Sequence, residues 1–165
     1  MRSKNILVFA ASFLLASAML AQASGEAKAK SAPKPRARKA TIWPAADLKW
    51  TDMADAPPGV KIVDLWGDHT KGAYGAMMKF PAGFSAPLHT HTSDMRIVIV
   101  SGTFIHGPEG KPPVKLTAGS YFKQPGDGYR HTTACDKDAE CIFFAESNGK
   151  FDLQMVEEAK APEKK

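Results

Sequence analysis

The sequence predicts an all-β domain, a small sandwich or barrel. Three observations carry that reading. Short segments rich in β-branched and aromatic residues recur from Lys61 to Val156. Gly- and Pro-bearing turns part them at intervals of about ten residues, the spacing of strands in sandwiches and barrels. Nothing in that stretch reaches the length of a stable helix.

The elements follow in order after the turn at Asp55-Ala-Pro-Pro-Gly59. Lys61 to Trp66 alternates well enough for a strand. Tyr74 to Phe80 is the next, and Pro81-Ala82-Gly83 ends it. Leu88 to His91 is extended. Met95 to Ile105 contains Arg-Ile-Val-Ile-Val, the strongest strand signal in the chain, and breaks at Ser101-Gly102. Pro108 to Pro113 is a loop. Val114 to Leu116 and Gly119 to Gln124 follow it, and Pro125-Gly-Asp-Gly128 is a tight turn. Tyr129 to Ala134, Cys141 to Glu146 and Phe151 to Val156 complete the set. A turn or two of helix is expected near Pro44 to Leu48, with another candidate near the C-terminus.

The two ends have a different composition. Residues 1–23 read as a Sec-type signal peptide. Arg2 and Lys4 precede an uncharged apolar run from Ile6 to Leu20, and Ala21-Gln22-Ala23 matches a small-x-small cleavage site. The alternative is an uncleaved anchor, but the run is short for a span of about 20 residues. No Cys follows it to carry a lipid. The expected location is therefore the periplasm or the exterior of a bacterium, with no transmembrane span once the signal is cut. Residues 24–42 are a basic linker of Ala, Lys, Pro and Arg, a composition that cannot bury enough surface to order itself. Residues 43–158 form the domain, and residues 159–165 a polar tail.

The charge is divided along the same lines. The whole chain carries +5, with +2 in residues 1–23 and +5 in residues 24–40, which leaves −2 for residues 41–165. The basic character belongs to the leader and not to the domain, so nucleic acid is excluded as the expected partner. The leader could still touch anionic polymer or lipid at the envelope; a solvated spacer is the plainer reading.

Cys135 and Cys141 are the two cysteines, and a polar Asp-Lys-Asp-Ala-Glu turn lies between them. If this is a hairpin, the thiols flank it and can pair, which an oxidising compartment favours. The alternative is two unrelated buried thiols.

The chemistry lies in the histidines. His89-Thr90-His91 sits on extended chain, where residues i and i+2 share a face. Both imidazoles can then reach one centre, as a metal requires. His131 opens a strand after a Gly/Pro turn and can approach from a neighbour.

At this point the sequence resembles the cupin superfamily. Gly83-x5-His89-x-His91-x3-Met95-x6-Gly102 follows the first cupin motif. Gly119-x5-Pro125-x2-Gly128-x2-His131 is similar to the second, with one extra residue between Pro and Gly. The resemblance covers roughly residues 60–146 and implies a cupin double-stranded β-helix, a small β-barrel or jelly roll. Thr92-Ser-Asp-Met-Arg96, the Cys135/Cys141 pair and Gly149-Lys-Phe-Asp152 further resemble an exported cupin subfamily of unknown function. The resemblance implies that His89, His91 and His131 are ligands of a divalent transition metal (Fe, Mn, Ni or Zn). It places Met95 where the family has a glutamate ligand, and a thioether is no substitute for a hard anionic donor. Three arrangements remain open: three neutral histidines alone, recruitment of Asp94 (although alternation points it away from Met95), or no metal and histidines that bind substrate. The last motif position, often Asn, is Cys135.

Strand parity then places other residues around the site. Tyr129 shares a face with His131, so it is the candidate catalytic group as a phenol donor or proton-transfer group; an aromatic core residue is the alternative. Arg96 should face outward into a salt bridge. Phe84, Met77, Ile97 and Phe143 read as core or pocket wall. His106 and His69 read as structural or solvated.

The functional expectation is a metal-dependent, dioxygenase-like enzyme acting on a small organic substrate. The competing expectation is a non-catalytic module that binds a small molecule or a metal, because one scaffold hosts many functions. A homodimer is compatible with the resemblance, since cupins often pair through their sheets.

Overall fold

The computed structural model describes residues 39–156. The expected signal peptide, most of the expected basic linker, the last two residues of the expected domain and the expected tail at residues 159–165 lie outside the described residues. The described residues from Thr41 onward belong to one compact unit. Within it a single 3-10 turn, Ala45–Asp47, stands where a helical turn is expected.

The described residues hold eleven strands: β1 Thr51–Asp52, β2 Lys61–Gly67, β3 Tyr74–Phe80, β4 Ser85–Thr90, β5 Met95–Ser101, β6 Thr103–Pro108, β7 Val114–Thr117, β8 Tyr121–Gln124, β9 His131–Cys135, β10 Cys141–Ser147 and β11 Gln154–Met155. They make two antiparallel sheets, in the orders β1-β2-β3-β10-β5-β8 and β11-β4-β9-β6-β7. The fold is the all-β cupin jelly roll that the motifs imply.

Alternation decides which side chains meet between the sheets. In β10 every second residue from Cys141 to Ser147 is buried, and in β5 Met95, Ile97 and Ile99 are buried between more open neighbours. These side chains join Ile62, Met78, Phe80 and Phe104 in one core. Each large apolar side chain taken from water contributes about 1.5–3 kcal/mol. Arg96 points outward and pairs with Glu146 across β5 and β10, at 3.4 Å. Met77 also lies on the outward parity of β3, half-buried, so it is not a pocket wall.

Two connections hold the site in place. Gly102 joins β5 of one sheet to β6 of the other at φ +76°, and an added Cβ would stand 2.3 Å from the Glu140 carbonyl oxygen. Only glycine satisfies both conditions. Cys135 and Cys141 form a disulfide across the β9–β10 turn. Several boundaries differ from expectation. β1 was not foreseen, because its two residues pair with β2 and carry no pattern of their own. β4 begins at Ser85, three residues early. Phe151 to Leu153 is not strand: the Phe151 amide donates to the His69 carbonyl, outside any ladder.

Candidate metal centre

His89 and His131 are direct register partners across β4 and β9. Opposed residues of an antiparallel pair bring their Cβ atoms within about 5.5 Å on one face, and here the ring centroids are 4.2 Å apart. His91 follows β4, with its ring 5.1 Å from His89 and 5.3 Å from His131. All three are buried. Each offers a ring nitrogen, and these three atoms lie within 4.8 Å of one another.

Hydrogen bonds orient the rings for a cation. His89 Nδ1 donates to the Pro87 carbonyl at 2.6 Å, His131 Nδ1 to the Tyr129 carbonyl at 3.2 Å, and His91 Nδ1 to the Asp152 carbonyl. An imidazole that donates through Nδ1 keeps its lone pair on Nε2. His131 Nε2 is buried with no hydrogen-bond partner among the described residues. Such an atom is costly unless something accepts its lone pair. The donor set therefore fits a metal that favours imidazole, such as Zn, Fe or Ni.

The electrostatics suit the same role. Burial lowers the pKa of all three histidines: His91 to about 4, and His131 to about 3 with a further push from His89. The imidazoles are neutral at pH 7, the state in which they ligate.

Met95, on β5 of the facing sheet, is buried and lines the cavity beside His89 and His91. Its sulfur accepts a long contact of 3.8 Å from Gln124 Nε2 on β8, its register partner. Among the described residues no carboxylate joins the three histidines in its place. Asp94 accepts hydrogen bonds from the Gly126 amide at 2.9 Å and pairs with Lys123 at 2.7 Å, and it is not grouped with the three histidines. Between the two metal-bound arrangements left open by the sequence, the geometry favours three neutral nitrogens over recruitment of Asp94.

Tyr129 precedes β9 instead of lying within it. Its ring stacks on His131 with centroids 5.4 Å apart, and its hydroxyl bonds His106 Nε2 at 3.0 Å. The phenol is thus engaged with His106, and the residue is half-buried and outside the core cluster. His106 is buried, with its ring 5.1 Å from that of His131, so it belongs to the cluster's surroundings and not to solvent. Its parity with buried Phe104 on β6 was the available signal. His69 pairs with Asp64 at 2.9 Å in the β2–β3 turn, and its carbonyl accepts from the Phe151 amide.

The C-terminal segment contributes what strand patterning missed. Asp152 caps Thr92 by accepting from its amide at 2.9 Å and from its hydroxyl, while its own carbonyl holds His91. Phe151 and Leu153 flank it and line the cavity. That cavity, about 50 Å³, continues inward from the histidines between Phe80, Phe84, Phe104 and Phe143.

The chain was compared with known proteins. The family model described as a domain of unknown function, DUF4437, matches residues 18–165. None of the curated proteins matches. Among solved structures, the polyketide cyclase RemF from Streptomyces resistomycificus is similar, with TM-score 0.60 and 15% identity over 75% of this chain and 90% of that one. KdgF from Halomonas sp. gives TM-score 0.52 and 21% identity over 67% of this chain and 94% of that one. A protein of unknown function with a cupin-like fold from Ralstonia eutropha JMP134 gives TM-score 0.57 and 24% identity over 68% of this chain and 74% of that one. At these identities the likeness establishes the fold alone. Matched over most of its length, the chain belongs to the DUF4437 family of domains of unknown function, and its fold is that of a cupin.

Proposed function

We propose that this is an exported cupin that holds one divalent transition metal on His89, His91 and His131 and uses that centre on a small organic molecule. One observation carries the reading: three buried imidazoles converge while their Nδ1 atoms all face backbone carbonyls. Iron, manganese, nickel or zinc would suit the site, with dioxygenase-like chemistry as the leading form. A bound metal supplies a Lewis acid or an oxygen-activating centre. The chain's own part is to orient the three rings, keep them neutral, and exclude water with the apolar wall behind them. Export rests on the signal-like residues 1–23, and the basic linker then separates the domain from whatever the N-terminus meets.

A second reading, a non-catalytic module that binds a small molecule or metal, is supported by Met95 and Tyr129. The first withholds the usual carboxylate, and the second has its hydroxyl tied to His106.

Metal analysis of the purified protein tests the proposal. About one equivalent of a transition metal is expected, lost in His89→Ala and His131→Ala. Metal content unchanged in both variants would sink the three-histidine centre. If iron is found, substrate-dependent oxygen uptake separates the enzyme from the binding module.

A further inference from the structure

We infer that the cavity behind the histidines is a recognition pocket for the uncharged, apolar end of a small oxygen-bearing molecule, and that Gln124 is its specificity-determining residue. This rests on the reading of the barrel as a ligand-binding centre and names the class of ligand.

The wall sets the chemistry. Phe80, Phe84, Phe104, Phe143 and Phe151 line the cavity, and no Lys, Arg, Asp or Glu is among its lining residues. The nearby charges are committed elsewhere: Arg96 to Glu146, Lys79 to Glu140, and Lys123 to Asp94. In the metal-free protein a phosphate or carboxylate buried here would find no cationic side chain, and a desolvated anion needs one. A polyhydroxylated molecule would strand its hydroxyls, because beyond the histidines only Gln124 and Thr133 line the cavity with polar atoms.

Size narrows the class. A cavity of about 150 Å³ takes a benzene ring, so one of about 50 Å³ takes roughly two to four heavy atoms. The rest of the ligand must emerge. Leu153 lines the cavity and is 41% exposed, which places the mouth at the C-terminal segment beside His91.

Gln124 is the polar exception in this wall. It is 2% exposed, and the one hydrogen bond of its carboxamide among the described residues is the 3.8 Å contact to the Met95 sulfur. A primary amide has two donors and two acceptor lone pairs. With one N–H directed at a thioether, the amide has a second N–H from which a ligand oxygen can accept. It stands on the sheet opposite His89, so a molecule in the cavity meets a hydrogen-bond donor on one side and the His89 and His91 imidazoles on the other.

The test uses the purified protein stripped of metal by chelation, so that no probe can bind through a cation. Ligand-observed NMR titrations compare 2-butanone, dihydroxyacetone and pyruvate, which share a central ketone and differ in apolar, polyhydroxylated and charged ends. Millimolar binding of 2-butanone is what so small a probe can reach, with at least tenfold weaker binding of the other two. Gln124→Met, near in shape and without the amide, should weaken 2-butanone about tenfold. Absence of saturable 2-butanone binding, or equal binding of dihydroxyacetone or pyruvate, overturns the ligand class on the native protein alone. An unchanged affinity in folded Gln124→Met overturns the role of Gln124. Failure here leaves the metal content untouched, and a metal-free preparation would remove the metal reading without altering these titrations.

Discussion

Met95 shows how one residue sets the character of the centre. A carboxylate at that place would sit in an apolar wall, costing about 2 kcal/mol or more in the absence of a cation. With a divalent metal bound, the same charge would be compensated. Met95→Glu is therefore expected to lower the thermal midpoint of the metal-free protein. In the same variant, Mn(II) or Fe(II) affinity should rise roughly tenfold. Calorimetric metal titration and melting of both forms check the two signs together. The histidines set a second expectation. Well above the ordinary imidazole pKa of about 6.5 they are neutral whether folded or unfolded, and stability is at its full value. As pH falls below that, the unfolded chain takes up protons that the folded one refuses until about 4 at His91 and about 3 at His131. Metal-free protein should lose stability progressively across that window. Denaturant midpoints at several pH values read it out, and a flat profile from neutral to mildly acidic conditions would contradict the burial of neutral imidazoles.

Elements act here mainly by placing side chains on one centre. β4 and β9 are adjacent and in a register that opposes His89 to His131, while β5 and β8 bring Met95 and Gln124 across from them. The connection at Gly102 is what lets β5 and β6 belong to different sheets. Gly102→Ala should cost roughly 2–4 kcal/mol, since it combines a positive φ with a Cβ clash against backbone; a denaturation curve measures it. The disulfide closes a short turn, and Cys135→Ser with Cys141→Ser should cost about 2 kcal/mol. The C-terminal segment is the element whose function periodicity hides. Asp152→Ala removes the cap on Thr92 and loosens the carbonyl that holds His91. Metal affinity should fall about tenfold, within the range of outer-shell effects. The fold should survive, and near-native melting of the variant is the control.

At the scale of the whole molecule, the two sheets form a single apolar core in which the histidine cluster is the chief polar inclusion, with His106 and Gln124 beside it. Binding that occurs only in the folded state stabilises that state by mass action. Saturating metal at about a hundred times its dissociation constant should add about 2.7 kcal/mol. A thermal midpoint that ignores added metal would argue against the centre. The charge division also belongs to this scale: the basic leader is separate in composition from a domain of slight negative charge. Deleting residues 25–40 should leave metal binding and the melting midpoint unchanged, since the three rings and the carbonyls that orient them all lie within residues 87–152.

Local pattern alone determined the all-β class, most strand positions, the outward Arg96 and the His-x-His pair, because alternation and turn residues are properties of neighbours in sequence. The two cupin motifs added the third histidine and the place of Met95. Other features were decided only by the tertiary structure. Gln124 meets Met95 through a β5–β8 register that no local pattern encodes. His106 reads as an isolated histidine until β6 is laid beside β9. Asp152 reaches His91 from 61 residues away. Such contacts depend on which strands become neighbours, and that choice is made by burying one continuous core.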